Sequence, residues 1–162
     1  NCGQREKYNH VTSPYNNRMD TLHAAILSIK LKHLDDWNAA RREHAARYAE
    51  LLNGADVVIP TAPEDVVPVW HLYVIRSEQR DQLKDHLAAK GIATGLHYPI
   101  PLHLQPYYQD LGYKLGDFPI TERFADQILS LPMYAEMTDE AVAYVAEEIR
   151  EFVASTQAEA TP

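Results

Sequence analysis

Apolar residues return at three- and four-residue steps from Asp20 to about Asn53: Leu22, Ala25, Ile26, Ile29, Leu34 and Trp37, then Tyr48, Leu51 and Leu52. That period predicts an amphipathic helix. Asp20 can cap its start, and Asn53-Gly54 supplies a stop. At about thirty-four residues the helix is long for a globular protein, so a break or kink is expected near Asp35-Asp36. Its apolar residues spread beyond one stripe, which implies contact with a second domain or a partner subunit.

The 162 residues are enough for one domain with a proper core. A net charge of −8 argues against non-specific nucleic-acid binding, although a local pocket can still take an anion. The apolar runs fall far short of the roughly 20 residues that a membrane span needs. The one cysteine, Cys2, leaves no internal disulfide framework and suits a reducing cytoplasm. The chain starts with Asn, and its first fifteen residues are polar and aperiodic. They read as a segment entered from upstream, so the expectation is the C-terminal part of a longer protein. This gives three expected parts: 1–18 as the entering segment, 19–154 as a small C-terminal domain, 155–162 as a frayed tail.

Beyond the helix, Val66 to Arg76 is β-branched and aromatic and reads as a buried strand. Ser77 can cap a helix to about Lys90, with Leu83 and Leu87 inward and Gly91 at its end. Ile92 to Leu96 reads as a second strand. A helical turn over Leu104–Leu111, a helix over Thr121–Ile128, a short strand from Leu129 and a last helix capped by Thr138 complete the order. This is α/β: a long N-terminal helix, then a small sheet covered by helices.

The second strand feeds His97-Tyr98-Pro99-Ile100-Pro101-Leu102-His103. Each proline fixes its own φ and pushes the residue before it into an extended form, so the segment is a rigid loop. Two readings stand. The histidines cap backbone carbonyls, or they line a polar ligand site with Tyr98, where imidazole and phenol suit sugar hydroxyls and phosphates. A metal centre is disfavoured, because no third donor stands nearby in sequence. Pro14 to Asp20 is the second constellation. It is either a turn with an N-cap, or an anion trap built from Asn16 and the Arg18 guanidinium. His71 lies in the expected strand and reads as a core residue. His10, His23, His33, His44 and His86 carry no signal. Asp139, Glu140, Glu147, Glu148 and Glu151 read as a solvated helix face.

Taken together, several stretches resemble one family. They are Gly3-Gln4-Arg5-Glu6-Lys7-Tyr8, Tyr15-Asn16-x-Arg18-Met19-Asp20-Thr21-Leu22, and Gly91-Ile92-x-Thr94-Gly95-x-His97-Tyr98-Pro99-x-Pro101-Leu102-His103 with Gln105-Pro106. Gly112-Tyr113, Gly116-Asp117-Phe118-Pro119 and Leu129-Ser130-Leu131-Pro132-Met133 come next in order. The match, over about residues 1–153, is to the C-terminal part of the DegT/DnrJ/StrS family of pyridoxal-phosphate-dependent sugar aminotransferases.

The resemblance implies the small C-terminal domain of a fold-type-I transferase, cytoplasmic and homodimeric, with the cofactor pyridoxal 5′-phosphate. The Schiff-base lysine is expected upstream, since none of Lys7, Lys30, Lys32, Lys84, Lys90 or Lys114 sits in the family's lysine context. The chain by itself is therefore expected to be inactive. By analogy Asn16 contacts the cofactor phosphate, and Arg18, His97, Tyr98 and His103 bind substrate. Pro14 departs from the family, which usually has Gly there. The implied reaction moves an amino group, with glutamate as donor, to a nucleotide-linked keto-sugar, as in polysaccharide biosynthesis. A sugar dehydratase of the same superfamily and a non-catalytic sugar-nucleotide-binding module are the alternatives.

Overall fold

The structure, a computed structural model, describes residues 4–6, 9–11 and 18–159. It divides into two compact units, one ending at Asp35 and one starting at Asp36.

The first unit holds β1 (Gln4–Glu6) and β2 (Asn9–His10), antiparallel with an irregular register, and α1 (Thr21–Lys30). Asp20 caps α1 as its sequence position predicts: Oδ1 accepts from the His23 N–H at 2.9 Å. That bond, with the His23 ring on Oδ2, holds the Asp20 carboxyl below its usual range. α1 buries no residue; Leu22 is 70% and Ile29 62% exposed. The helix tightens into a 3₁₀ turn at Leu31–His33 before α2 (Leu34–Leu51). The break therefore comes about one turn earlier than expected.

In the second unit α2 does two jobs. Ala45, Tyr48 and Leu52, the last just past its end, enter the core. Arg41, His44 and Tyr48, spaced to share a face, serve the carbonyls of an extended segment far along the chain. Arg41 Nη1 donates to Met133 O at 2.8 Å, and Tyr48 Oη donates to Pro132 O at 3.1 Å. His44 Nε2 lies 3.3 Å from Ala135 O. Burial pushes the Tyr48 phenol well above its ordinary pKa, so it remains a donor. Two of the histidine positions that carried no sequence signal, His44 and His86, thus turn out to bond within the fold. Arg150 Nη1 bonds the carbonyls of Leu51 and Asn53, both at 3.1 Å, closing the end of α2.

The sheet is small. β3 (Tyr73–Arg76) pairs antiparallel with β4 (Ile128–Leu131), Tyr73 opposite Leu131 and Arg76 opposite Ile128. Single bridges extend it, Val58 beside Arg76 and Gly95 beside Ser130. The expected strand from Val66 is thus confined to its last four residues. Pro68 has no N–H for a ladder, and Trp70 turns left-handed at φ 48°. Val67 is exposed, and so is His71, which is not the core residue its sequence position implied. The Ile92–Leu96 strand reduces to the Gly95 bridge. Ile92 N–H is already used, donating to Leu87 O at 2.9 Å where Gly91 (φ 77°) ends the preceding helix.

That helix is α3 (Arg80–Ala89), which points Leu83 and Leu87 fully inward, as the periodicity predicts. Ser77 does not cap it directly. Its Oγ accepts from the Gln79 N–H at 3.2 Å and shapes the turn before the helix. α4 (Pro119–Gln127) leads into β4, and α5 (Asp139–Glu159) closes the unit. Thr138 Oγ1 accepts from the Ala141 N–H at 3.2 Å, the expected cap. α5 continues past Ser155, where fraying was expected; the hydroxyls of Ser155 and Thr156 bond back to Phe152 O. Val142, Val145 and Ile149 pack with Leu83, Leu87, Ile75 and Leu129 into one core. Among the described residues no helix is long and apolar enough to cross a membrane.

One acid of α5 is misplaced by a reading from composition. Glu148 is only 5% exposed and sits between Lys90 Nζ (2.8 Å) and His86 Nε2 (3.1 Å) on the α3 side. The Lys90 hydrogen bond, helped by His86, outweighs burial and holds the Glu148 carboxyl below its ordinary 4.5. The same contact raises Lys90 above its ordinary 10.5. The carboxyl's contribution is complete above pH 4.5 and lost as pH falls through its lowered value. The ammonium's is complete below pH 10.5 and lost as pH rises through its raised value. Melting temperature against pH should therefore fall on both sides of that window. Glu148→Gln should flatten the acid limb, and an unchanged acid limb would contradict the assignment.

Candidate functional site

The site grows from the sheet edge. Gly95 makes a two-bond bridge with Ser130, N–H to O at 3.0 Å and 2.8 Å in the return direction. Leu96 packs against the core, and the chain then leaves the sheet through His97 and Tyr98. Their peptide bond is cis, and the rings meet edge to face at 5.8 Å. The chain bends at Pro99 and Ile100, and Pro101 (φ −53°, ψ 143°) leads into a 3₁₀ turn at Leu102–Leu104. Tyr98 is 76% exposed.

His97 and Tyr98 form one wall of a groove of about 560 Å³. Leu102 and Gln105 continue that wall, and Ile120 and Phe124 of α4 face it. The groove is mainly apolar with few polar groups at its rim, the usual make-up of a small-molecule site. Arg76 backs it, its guanidinium 4.1 Å from the Phe124 ring centre and bonded to Gln127 Oε1 at 3.2 Å.

His103 faces elsewhere. Its Nε2 lies 2.8 Å from Glu122 Oε1, and its ring packs on Phe118 at 4.7 Å in a second, apolar recess with Tyr108 and Tyr113. Glu122 also accepts from the N–H groups of Gly116 (2.9 Å) and Phe118 (3.2 Å). Burial pushes the Glu122 carboxyl up, but the bonds from His103, Gly116 and Phe118 outweigh it and leave the pKa below 4.5. Glu122 is thus the anchor of the loop from Leu102 to Phe118.

The structure therefore brings His97 and Tyr98 together at one groove and ties His103 to the loop's anchor. Arg18 is exposed in the other compact unit, just ahead of α1. Asn16, with Pro14 before it, lies outside the described residues. Sequence reasoning missed Glu122 and Ser130. Glu122 had a usable signal, an acid in the first turn of a helix opened by Pro119, where a carboxylate can reach back to exposed N–H groups. Ser130 had none.

Residues 1–150 match the DegT/DnrJ/EryC1/StrS aminotransferase family. A dTDP-3-amino-3,4,6-trideoxy-alpha-D-glucose transaminase from Streptomyces venezuelae is 42% identical over 153 residues, 94% of this chain and 40% of the relative. A pleiotropic regulatory protein from Geobacillus stearothermophilus is 47% identical over 93% of this chain and 41% of its own length. The crystal structure of S. venezuelae DesV in complex with a ketimine intermediate superposes with a TM-score of 0.91 at 42% identity, over 94% of this chain and 42% of DesV. The chain thus spans about two fifths of the length of these relatives. With its motifs in order and its groove at the sheet edge, the chain belongs to the DegT/DnrJ/EryC1/StrS aminotransferase family.

Proposed function

We propose that this chain is the C-terminal part of a pyridoxal-phosphate-dependent transaminase acting on a nucleotide-linked keto-sugar, with glutamate as amino donor. The observation that carries the reading is the His97–Tyr98 wall, which lines a groove in a chain similar to sugar transaminases. In this reading His97 and Tyr98 bind the sugar nucleotide, and Arg18 reaches across to the substrate side of the pocket in the partner of a dimer. Asn16 holds the cofactor phosphate. His103 contributes by fixing the loop through Glu122. When bound, pyridoxal phosphate supplies the electron sink; this chain's residues bind and orient the substrate beside it.

In this reading residues 1–18 enter from a larger cofactor domain and 19–154 form the small domain, whose last helix runs on to Glu159. The bare apolar side of α1, with Leu22, Ile26 and Ile29 exposed, supports further protein covering it: the cofactor domain or the partner of a cytoplasmic homodimer. The Schiff-base lysine belongs to that upstream domain.

The test is nitrogen-15 transfer from labelled glutamate to dTDP- and UDP-linked 3- and 4-keto-sugars by the polypeptide as encoded. Labelled amino-sugar is the expected product. His97→Ala should raise KM for the sugar about tenfold, the loss of about one hydrogen bond. A deoxygenated, amine-free product would assign a dehydratase instead, and sugar binding without turnover would assign a binding module.

A further inference from the structure

We infer that Ser130 is a positioning residue that fixes the His97 imidazole in its Nε2–H form, so that a hydrogen-bond donor is offered to an acceptor oxygen in the groove. This rests on the proposed function, in which the groove takes an oxygen-rich sugar nucleotide.

Ser130 lies on β4 and is 3% exposed. Its main chain is committed to Gly95 in both directions. Its Oγ stands 2.9 Å from His97 Nδ1. A buried hydroxyl shut off from water needs an acceptor for its proton. The nitrogen lone pair at Nδ1 is such an acceptor. With the Ser130 O–H donating there, the ring proton resides on Nε2, the nitrogen that does not bond Ser130. A neutral imidazole takes whichever tautomer the bond at its other nitrogen dictates. An Nε2–H donor suits phosphate or hydroxyl oxygens of a ligand.

Gly95 completes the seat from across the same bridge. A Cβ there would come within 2.6 Å of His97 Cε1 and 3.2 Å of Nδ1. Any larger residue drives the ring off Ser130. Gly95 and Ser130, hydrogen-bonded to each other, thus form one backing plate for the His97 ring. The prolines after His97 fix φ along the loop; the plate sets which nitrogen carries the proton.

Nitrogen-15 NMR of the imidazoles in the polypeptide as encoded tests this without any turnover. In the parent protein His97 should show a protonated Nε2 and an unprotonated Nδ1. Ser130→Ala and Gly95→Ala should each abolish that preference, and Ser130→Thr, which keeps a hydroxyl, should retain it. In the transaminase assay Ser130→Ala should raise KM for the sugar nucleotide about tenfold with kcat changed less than about twofold, and Ser130→Thr should restore it. A protonated Nδ1 in the parent, or an unchanged tautomer in Ser130→Ala, overturns the proposal. The expected tautomers together with an unmoved KM would overturn the placing of the sugar nucleotide in this groove, and with it the donor role.

Discussion

Arg41→Met is expected to lower the unfolding free energy by about 3 kcal/mol, read as a lower urea midpoint at unchanged slope. The guanidinium reaches three carbonyls from two distant stretches: Met133 O at 2.8 Å, Trp70 O at 3.2 Å and His71 O at 3.4 Å. The first two are within good hydrogen-bond range, and each bond from a charged donor is worth about 1.5–3 kcal/mol. Methionine keeps the stem's packing and removes every donor, so the carbonyls lose their partner while the fit is kept. Trp70 adds to the effect, since its left-handed φ of 48° needs support that this contact supplies. Arg47, on the same helix but paired with Glu50 near the surface, is the control; Arg47→Ala should cost well under about 1 kcal/mol. Equal costs for the two arginines would refute the bracing role.

Glu122→Ala should loosen the loop from Leu102 to Phe118 while leaving the core intact. One carboxylate receives His103 Nε2 and the N–H groups of Gly116 and Phe118. Losing it leaves those donors without their shared acceptor, and Gly116, at φ 95°, does little to hold the turn alone. Amide exchange at Gly116 and Phe118 should rise about ten- to a hundredfold, with exchange at Ile75 and Leu129 unchanged. The lowered pKa sets the pH dependence. Protection of the loop is complete above pH 4.5 and is lost as pH falls through the lowered value; in Glu122→Ala that acid-side loss should vanish. Under the proposed function, KM for the sugar nucleotide should also rise about tenfold, because Leu102 and Gln105 form part of the groove wall. Loss of protection throughout the core would instead make Glu122 a general stability residue.

Local signals are legible in the sequence. The Asp20 and Thr138 caps, the inward Leu83 and Leu87, and the Gly91 stop each depend on side chains within a turn of one another. The stiff loop around Pro99 and Pro101 is local too, because proline's ring closes off φ whatever surrounds it. The family is equally legible, since ordered motifs are a property of the chain alone.

The features that sequence misreads are decided at a distance. Val66 to Leu72 has strand composition, yet Pro68 and the Trp70 turn, tied to Arg41 on another helix, keep it out of the sheet. Glu148 looks like its solvated neighbours until α3 brings His86, and Lys90 just past its end, against it. His97 and His103 share one short loop and look equivalent in sequence. The structure separates them: Ser130 meets the first and Glu122 the second. The sequence by itself determined where the main helices lie, the two φ values that proline fixes in the loop, and the family. Only tertiary structure decided which histidine faces the groove, because that choice depends on partners that chain folding, not local spacing, brings within about 3 Å.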